Sequence, residues 1–150
     1  MYQKILVPLD GSKLAECALS HVKNLVKDGA VGEVILLNVS SVNIYRGGEA
    51  AGYMDMNSIK EGMSEKSQKY LADVESRLNS EGIKVKTESL EGYRAAETIS
   101  DYAQNNGVDL IVIASHGYTG MKKLMLGSVA LEVLHESHVP VLLIRPESCR

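Results

Sequence analysis

Residues 111–129, IVIASHGYTGMKKLMLGSV, run from an apolar stretch through a glycine-bearing loop into a helical pattern. The opening IVIA is short and β-branched, which suits a strand buried on both faces. Gly117 and Gly120 then break the run, Lys122 and Lys123 follow, and Gly127-Ser128 stand just before helical periodicity begins. No carboxylate occurs between Asp109 and Glu132. Glycines let backbone N–H groups approach a ligand, and a helix N-terminus presents unpaired donors with a positive partial charge. A strand, a glycine loop without carboxylates and a helix start together form a candidate anion site.

Working outward, the same alternation of apolar runs and helical patterns fills the chain. Residues 3–9, QKILVPL, read as a buried strand that ends at the turn cluster Asp10-Gly11-Ser12. Ser12 can cap a helix over 13–28, where Leu14, Cys17, Ala18, His21, Val22 and Leu25 share one face. A second buried strand covers 33–40, EVILLNVS, and an irregular stretch with three glycines covers 41–57. A long loop of that kind in a small domain is either functional or mobile. Helical spacing resumes over 58–80, with Ile59, Met63, Tyr70, Leu71, Val74 and Leu78 inward. Residues 83–90, IKVKTESL, begin in alternation and suit an edge strand with one wet face. A helix over 94–105 turns Ala95, Ala96, Ile99 and Ala103 inward and ends at Asn105-Asn106-Gly107. Strand 109–114, loop 115–126, helix 127–137 and strand 139–145 complete the chain. The order β-α-β-α-β-α-β-α-β implies one α/β domain over 1–150, a parallel sheet with helices on both faces. Ligands of such sheets bind beyond the strand C-termini, where strand order reverses.

Composition narrows the function. The net charge is −3, and the aromatic residues are seven Tyr with no Trp or Phe. Neither a pull toward nucleic acid or anionic membrane nor a stacking platform for single strands is expected. No apolar run approaches the length of a membrane span, and MYQKILVPLDGS opens as a strand, not a signal peptide, so a cytoplasmic setting is expected. Cys17 and Cys149 show no metal spacing; Cys17 reads as a small core residue, Cys149 as a tail thiol, and no disulfide framework is indicated. His135 and His138 near a helix end suit a solvated terminus better than a metal pair, so no metal ligand set is expected. GxGxxG is absent after the first strand, the Gly117–Lys123 run is not GxxxxGK[ST], and GxSxG does not occur.

At 114–128 the pattern Ala-Ser-His-Gly, nine residues, Gly-Ser resembles the nucleotide motif G-x-x-G, nine residues, G-[S/T] of the universal stress protein family. The openings KILVPLDGS and ILLNV, then VDLIVIASHG, LGSVALEVL and the closing VPVLLI extend the resemblance over the whole chain. It implies a five-stranded parallel, Rossmann-like sheet of the adenine nucleotide alpha hydrolase type, in the order 3-2-1-4-5. It places the chain with the branch that binds ATP, with magnesium. One position departs: Ala114 stands where the motif has its first glycine. A methyl group is harmless there in extended backbone and harmful where φ is positive or where the ribose packs in van der Waals contact.

Carried over position by position, the resemblance assigns Asp10 to the adenine or ribose, with Pro8 and Leu9 on the same edge. It assigns the Val39 backbone to adenine and Ile113 and Ala114 to the ribose flank. Gly117, Gly127, Ser128 and Val129 hold the phosphates, mainly through backbone N–H groups. Plainer readings stand beside these. Asp10 can be a turn former that caps the first helix, Gly127 a packing or N-cap glycine, and His116 a local hydrogen bonder. Lys122 and Lys123 can be solvated surface charges. Two functions compete: a regulatory ATP-binding protein, or a non-nucleotide interaction module that dimerises through the apolar last strand, Val139 to Ile144. The resemblance also suggests dimers through that strand. An enzyme is disfavoured, because Asp10-Gly11-Ser12-Lys13 offers neither an SGGxDS-like loop nor HIGH/KMSKS-type elements, and any ATP turnover should be slow.

Overall fold

The computed structural model describes residues 1–41, 56–115 and 127–145. Five strands form one sheet: β1 (Tyr2–Pro8), β2 (Val31–Ser41), β3 (Lys86–Gly92), β4 (Leu110–Ala114) and β5 (Val141–Ile144). Their order is β3-β2-β1-β4-β5 and every pairing is parallel. Four helices lie between them: α1 (Ala18–Lys27), α2 (Met56–Ser80), α3 (Ala95–Asn105) and α4 (Ser128–Glu136). The α/β class, the strand order and the helices on both faces all agree with the sequence reading. Among the described residues no helix is long and apolar enough to cross a membrane.

The period of two along each strand sorts side chains between two cores. Ile5, Val7, Val34, Leu36, Leu110 and Val112 face α1 and α2, against Val22, Leu71, Val74 and Leu78. Leu6, Ile35, Leu37, Ile111 and Ile113 face α3 and α4, against Ala96, Ile99, Ala103, Ala130 and Val133. The central strands β1 and β4 are thus covered on both sides over Ile5–Val7 and Leu110–Ala114, which is why those runs are continuously apolar.

Helix ends follow local chemistry. At α1, Gly29 at φ +71 lets its own N–H reach the Val26 carbonyl (3.0 Å) and the Ala30 N–H reach that of Leu25 (2.9 Å). The same bonds close α2: Gly82 N–H donates to Asn79 (3.0 Å) and Ile83 N–H to Leu78 (2.9 Å). This explains one boundary error. Residues 83–85 alternate like a strand, yet pairing with β2 starts only at Lys86 opposite Ile35. Buried Ile83 packs as the hydrophobic residue that follows a helix-closing glycine, not as a ladder member. The first helix also starts later than expected, after a 3₁₀ turn at Ala15–Cys17. Cys17 is half-buried and disulfide-bonded, so the expectation of a plain core thiol is corrected. Pairing of cysteines depends on Cα proximity, which spacing in sequence does not report. The 42–55 part of the irregular stretch, and Cys149, lie outside the described residues.

Candidate functional site

β1 continues through α1 to β2 on one side, and β4 continues through α4 to β5 on the other. Neighbouring strands whose connections diverge leave a crevice at their C-terminal ends. A cleft lies there, with an empty volume of about 650 Å³ including its open mouth. That is the size range of a small-molecule site.

The cleft is assembled from six pieces. The end of β1 supplies Pro8, Leu9 and Asp10, and β2 supplies Leu37 and Val39. The end of β4 supplies Ile113, Ala114 and Ser115. The start of α4 supplies Gly127, Val129 and Ala130. The turn before α1 adds Ser12, Leu14 and Ala15, and α3 adds Ala95 and Ile99. Pro8, Leu9, Asp10, Val39, Ile113, Ala114, Gly127 and Val129, singled out from sequence, therefore line one cavity. Ser128 begins α4 but is exposed and does not line it. Gly117 lies outside the described residues, as do His116, Lys122 and Lys123.

Local geometry decides several open readings. Asp10 does form a turn: its Oδ1 accepts the Ser12 N–H (2.8 Å) and hydroxyl (2.5 Å), with Gly11 at φ +90 between them. Ser12 Oγ in turn accepts the Ala15 N–H (3.1 Å), so Ser12 caps the 3₁₀ turn instead of α1 itself. The same bonds aim this corner at the cleft. Among the described residues no non-glycine has positive φ, so Ala114 sits in backbone that alanine adopts without strain. Gly127, the N-cap of α4, has φ −57 and ψ 146 and is buried. Its conformation is open to any residue, so backbone strain does not explain the glycine.

The α4 N-terminus presents donors. The first intrahelical bond runs from Leu131 N–H to Gly127 O (3.0 Å), and among the described residues no side chain caps the helix. The N–H groups of Ser128, Val129 and Ala130 thus precede the ladder and carry the helix dipole's positive end. The buried Ser115 N–H bonds the Ile144 carbonyl (2.9 Å) and fixes the end of β4 against β5.

Two polar clusters on α2 escaped the sequence reading. Ser89 donates to Ser67 (2.7 Å), Ser67 to Asn38 Oδ1 (2.6 Å), and Asn38 Nδ2 to the Leu9 carbonyl (2.7 Å). Beside them Glu16 accepts bonds from Tyr70 (3.0 Å) and Arg77 (2.5 Å). Burial and the bond to Glu16 both push the Tyr70 hydroxyl's pKa above the ordinary tyrosine range. Both clusters tie α2 to the β1–α1 corner of the cleft. Arg94, at the start of α3, pairs with Glu136 and Glu132 of α4, though this exposed pairing adds little stability.

The protein-family comparison matches the model described as "Universal stress protein family" over residues 1–145. Universal stress protein MJ0531 of Methanocaldococcus jannaschii is 35% identical over 97% of this chain and 83% of its own length. Universal stress protein MJ0577 of the same organism is 34% identical, over 97% of this chain and 96% of its own. Universal stress protein YxiE of Bacillus subtilis is 30% identical over 97% of this chain and 100% of its own. The solved structure of MJ0577 superposes with a TM-score of 0.80 at 36% identity, covering 97% of this chain and 96% of that one.

Proposed function

The chain belongs to the universal stress protein family, and from that premise we propose that its cleft binds an adenine nucleotide, ATP with magnesium, as a regulatory ligand in a cytoplasmic stress response. The observation that carries this reading is the cleft at the β1/β4 divide. It joins an apolar pocket to a helix N-terminus whose first N–H groups are unpaired within the helix. Apolar walls from Pro8, Leu37, Val39 and Ala15 suit a flat base. Ile113 and Ala114, between the two regions, suit the sugar. The N–H groups of Ser128 to Ala130 suit phosphate oxygens, whose charge the helix dipole favours. Asp10, at the rim, suits a sugar hydroxyl. A bound nucleotide orders the surfaces that contact it and so biases what a partner meets. Calorimetric titration with ATP and magnesium tests the reading; no binding at millimolar nucleotide refutes it. The nucleotide acts as ligand and not substrate, so prolonged incubation should release little ADP or AMP, and rapid release refutes that part.

A second reading is compatible with the first. Among the described residues β5 pairs only with β4, and Leu142 on it is 38% exposed, with Leu131 and Leu134 of α4 at 43% and 40%. An open edge beside exposed leucines suits pairing with a second copy of the chain along Val139 to Ile144. Light scattering that gives only the monomer mass refutes this.

A further inference from the structure

We infer that Asn38 is a positioning residue that keeps the Val39 peptide group unpaired, so that it can read the base. The inference rests on the nucleotide reading above. The β1–β2 ladder makes its last rung from Leu9 N–H to the Leu37 carbonyl at 2.8 Å. In a parallel ladder the next rung would join the Leu9 carbonyl to the Val39 N–H. Among the described residues that bond is not made. The Leu9 carbonyl instead accepts the Asn38 carboxamide at 2.7 Å.

The carboxamide's orientation is not free. Ser67 donates its hydroxyl proton to Asn38 Oδ1 and accepts that of Ser89, which leaves Nδ2 as the group facing Leu9. Ser67 is buried, so the chain of bonds is held inside the fold. The result is a sheet that stops one rung early. Val39 lines the cleft at that point. The N–H and C=O of one strand residue point the same way, giving a donor and an acceptor side by side. That pair matches adenine, which offers N1 as acceptor and the N6 amine as donor. It mismatches hypoxanthine, whose N1–H and O6 reverse the pattern. Removing the carboxamide leaves the Leu9 carbonyl without its partner. It then draws in the Val39 N–H, completes the rung and removes the reader.

The test compares the wild type with Asn38→Ala and Ser67→Ala by calorimetry with ATP, ITP and inorganic tripolyphosphate. Val39 amide exchange by NMR on ligand-free protein is a second readout. The expected result for Asn38→Ala is an ATP affinity about tenfold lower, the worth of one hydrogen bond. The ATP/ITP ratio falls toward one, tripolyphosphate affinity is unchanged, and Val39 exchange slows about tenfold as its N–H gains a partner. Ser67→Ala, which keeps the donor but loosens it, shifts each readout less in the same direction, and supplies the test if Asn38→Ala does not fold. An unchanged ATP/ITP ratio with unchanged Val39 exchange in both variants overturns the inference. A wild type that binds no ATP overturns the nucleotide reading, while the exchange measurement still decides whether Asn38 withholds Leu9 from Val39.

Discussion

Asp109 offers a sharp test of what holds the two cleft-forming strands together. It lies just before β4, and its Oδ2 and Oδ1 accept the backbone N–H groups of Gln3 (2.7 Å) and Lys4 (3.0 Å) at the start of β1. Its own N–H donates to the Lys4 carbonyl at 2.9 Å. Burial alone would raise the Asp109 pKa, but the two N–H bonds outweigh it and hold the carboxyl below its ordinary value. A carboxylate with a depressed folded pKa adds stability that is fully present above the unfolded pKa of about 3.9 and is lost as pH falls through the folded value. Asp109→Asn keeps the shape, retains one acceptor oxygen and turns an amino group toward the other N–H. Hydrogen bonds to a charged group are worth roughly 1.5–3 kcal/mol. The Gln3 bond is exposed, so the expected loss is about 1–2 kcal/mol. Urea melts at pH 7 read this directly, with Asp101→Asn, exposed on α3, as the control for net charge. Repeating the melts at pH 5, 4 and 3 should leave the difference unchanged down to about pH 5 and shrink it below about pH 4. A deficit that stays constant down to pH 3 refutes the charged-acceptor account, and no deficit at pH 7 refutes the staple itself.

Three further outcomes follow from single positions. Ser128→Pro places proline at the first position of α4, after a Gly127 already in the extended region that precedes proline, so the helix should keep its stability. It deletes one proposed phosphate donor, and ATP affinity should fall about tenfold against Ser128→Ala, measured by calorimetry. Gly32→Ala puts a Cβ 2.8 Å from the backbone carbonyl oxygen of Gln3. The start of β2 must shift, and the urea midpoint should drop by the equivalent of about 1–3 kcal/mol; an unchanged midpoint counts against the close approach. Burial first, and Glu16 second, raise the Tyr70 pKa, so its contribution to stability is full below about pH 10 and is lost as pH climbs above that. Ultraviolet titration should show a late-ionising tyrosine in wild type that is lost in Tyr70→Phe.

Much of the fold could be read in the chain because its signals are local. The runs at Ile5–Leu9, Ile35–Leu37 and Ile111–Ala114 are apolar throughout, since both faces of those strands are covered. Glycines at 29, 82 and 107 mark helix ends because a left-handed residue must close them. Strand order is different: no periodicity encodes which strand sits beside β1, and the order 3-2-1-4-5 came from resemblance alone. Boundaries failed where a tertiary role copied a secondary one, as at Ile83. Asp10 and Gly127 stand out because turns and helix starts use few residue types. The Cys17 pairing left no signal, because it depends on distance in space.

The Asn38–Ser67–Ser89 chain was missed because its members are 29 and 22 residues apart. Each looks ordinary alone, yet two signals were present. Asn38 is the polar interruption in the otherwise apolar ILLNV, and Ser67 precedes Leu71, Val74 and Leu78 on the inward face of α2. A polar residue on a buried face must find a partner, so two such positions on adjacent elements point to each other. The consequence reaches beyond the cleft's own lining. α2 reaches the β1 terminus from Ser67 by way of Asn38, and the turn before α1 through Tyr70 and Arg77. None of these three side chains lines the cavity. The corner that presents Asp10 and the peptide of Val39 is therefore set from α2. A substitution on its inward polar positions should change base selectivity more than overall stability, whereas one at Leu71 or Val74 should do the reverse.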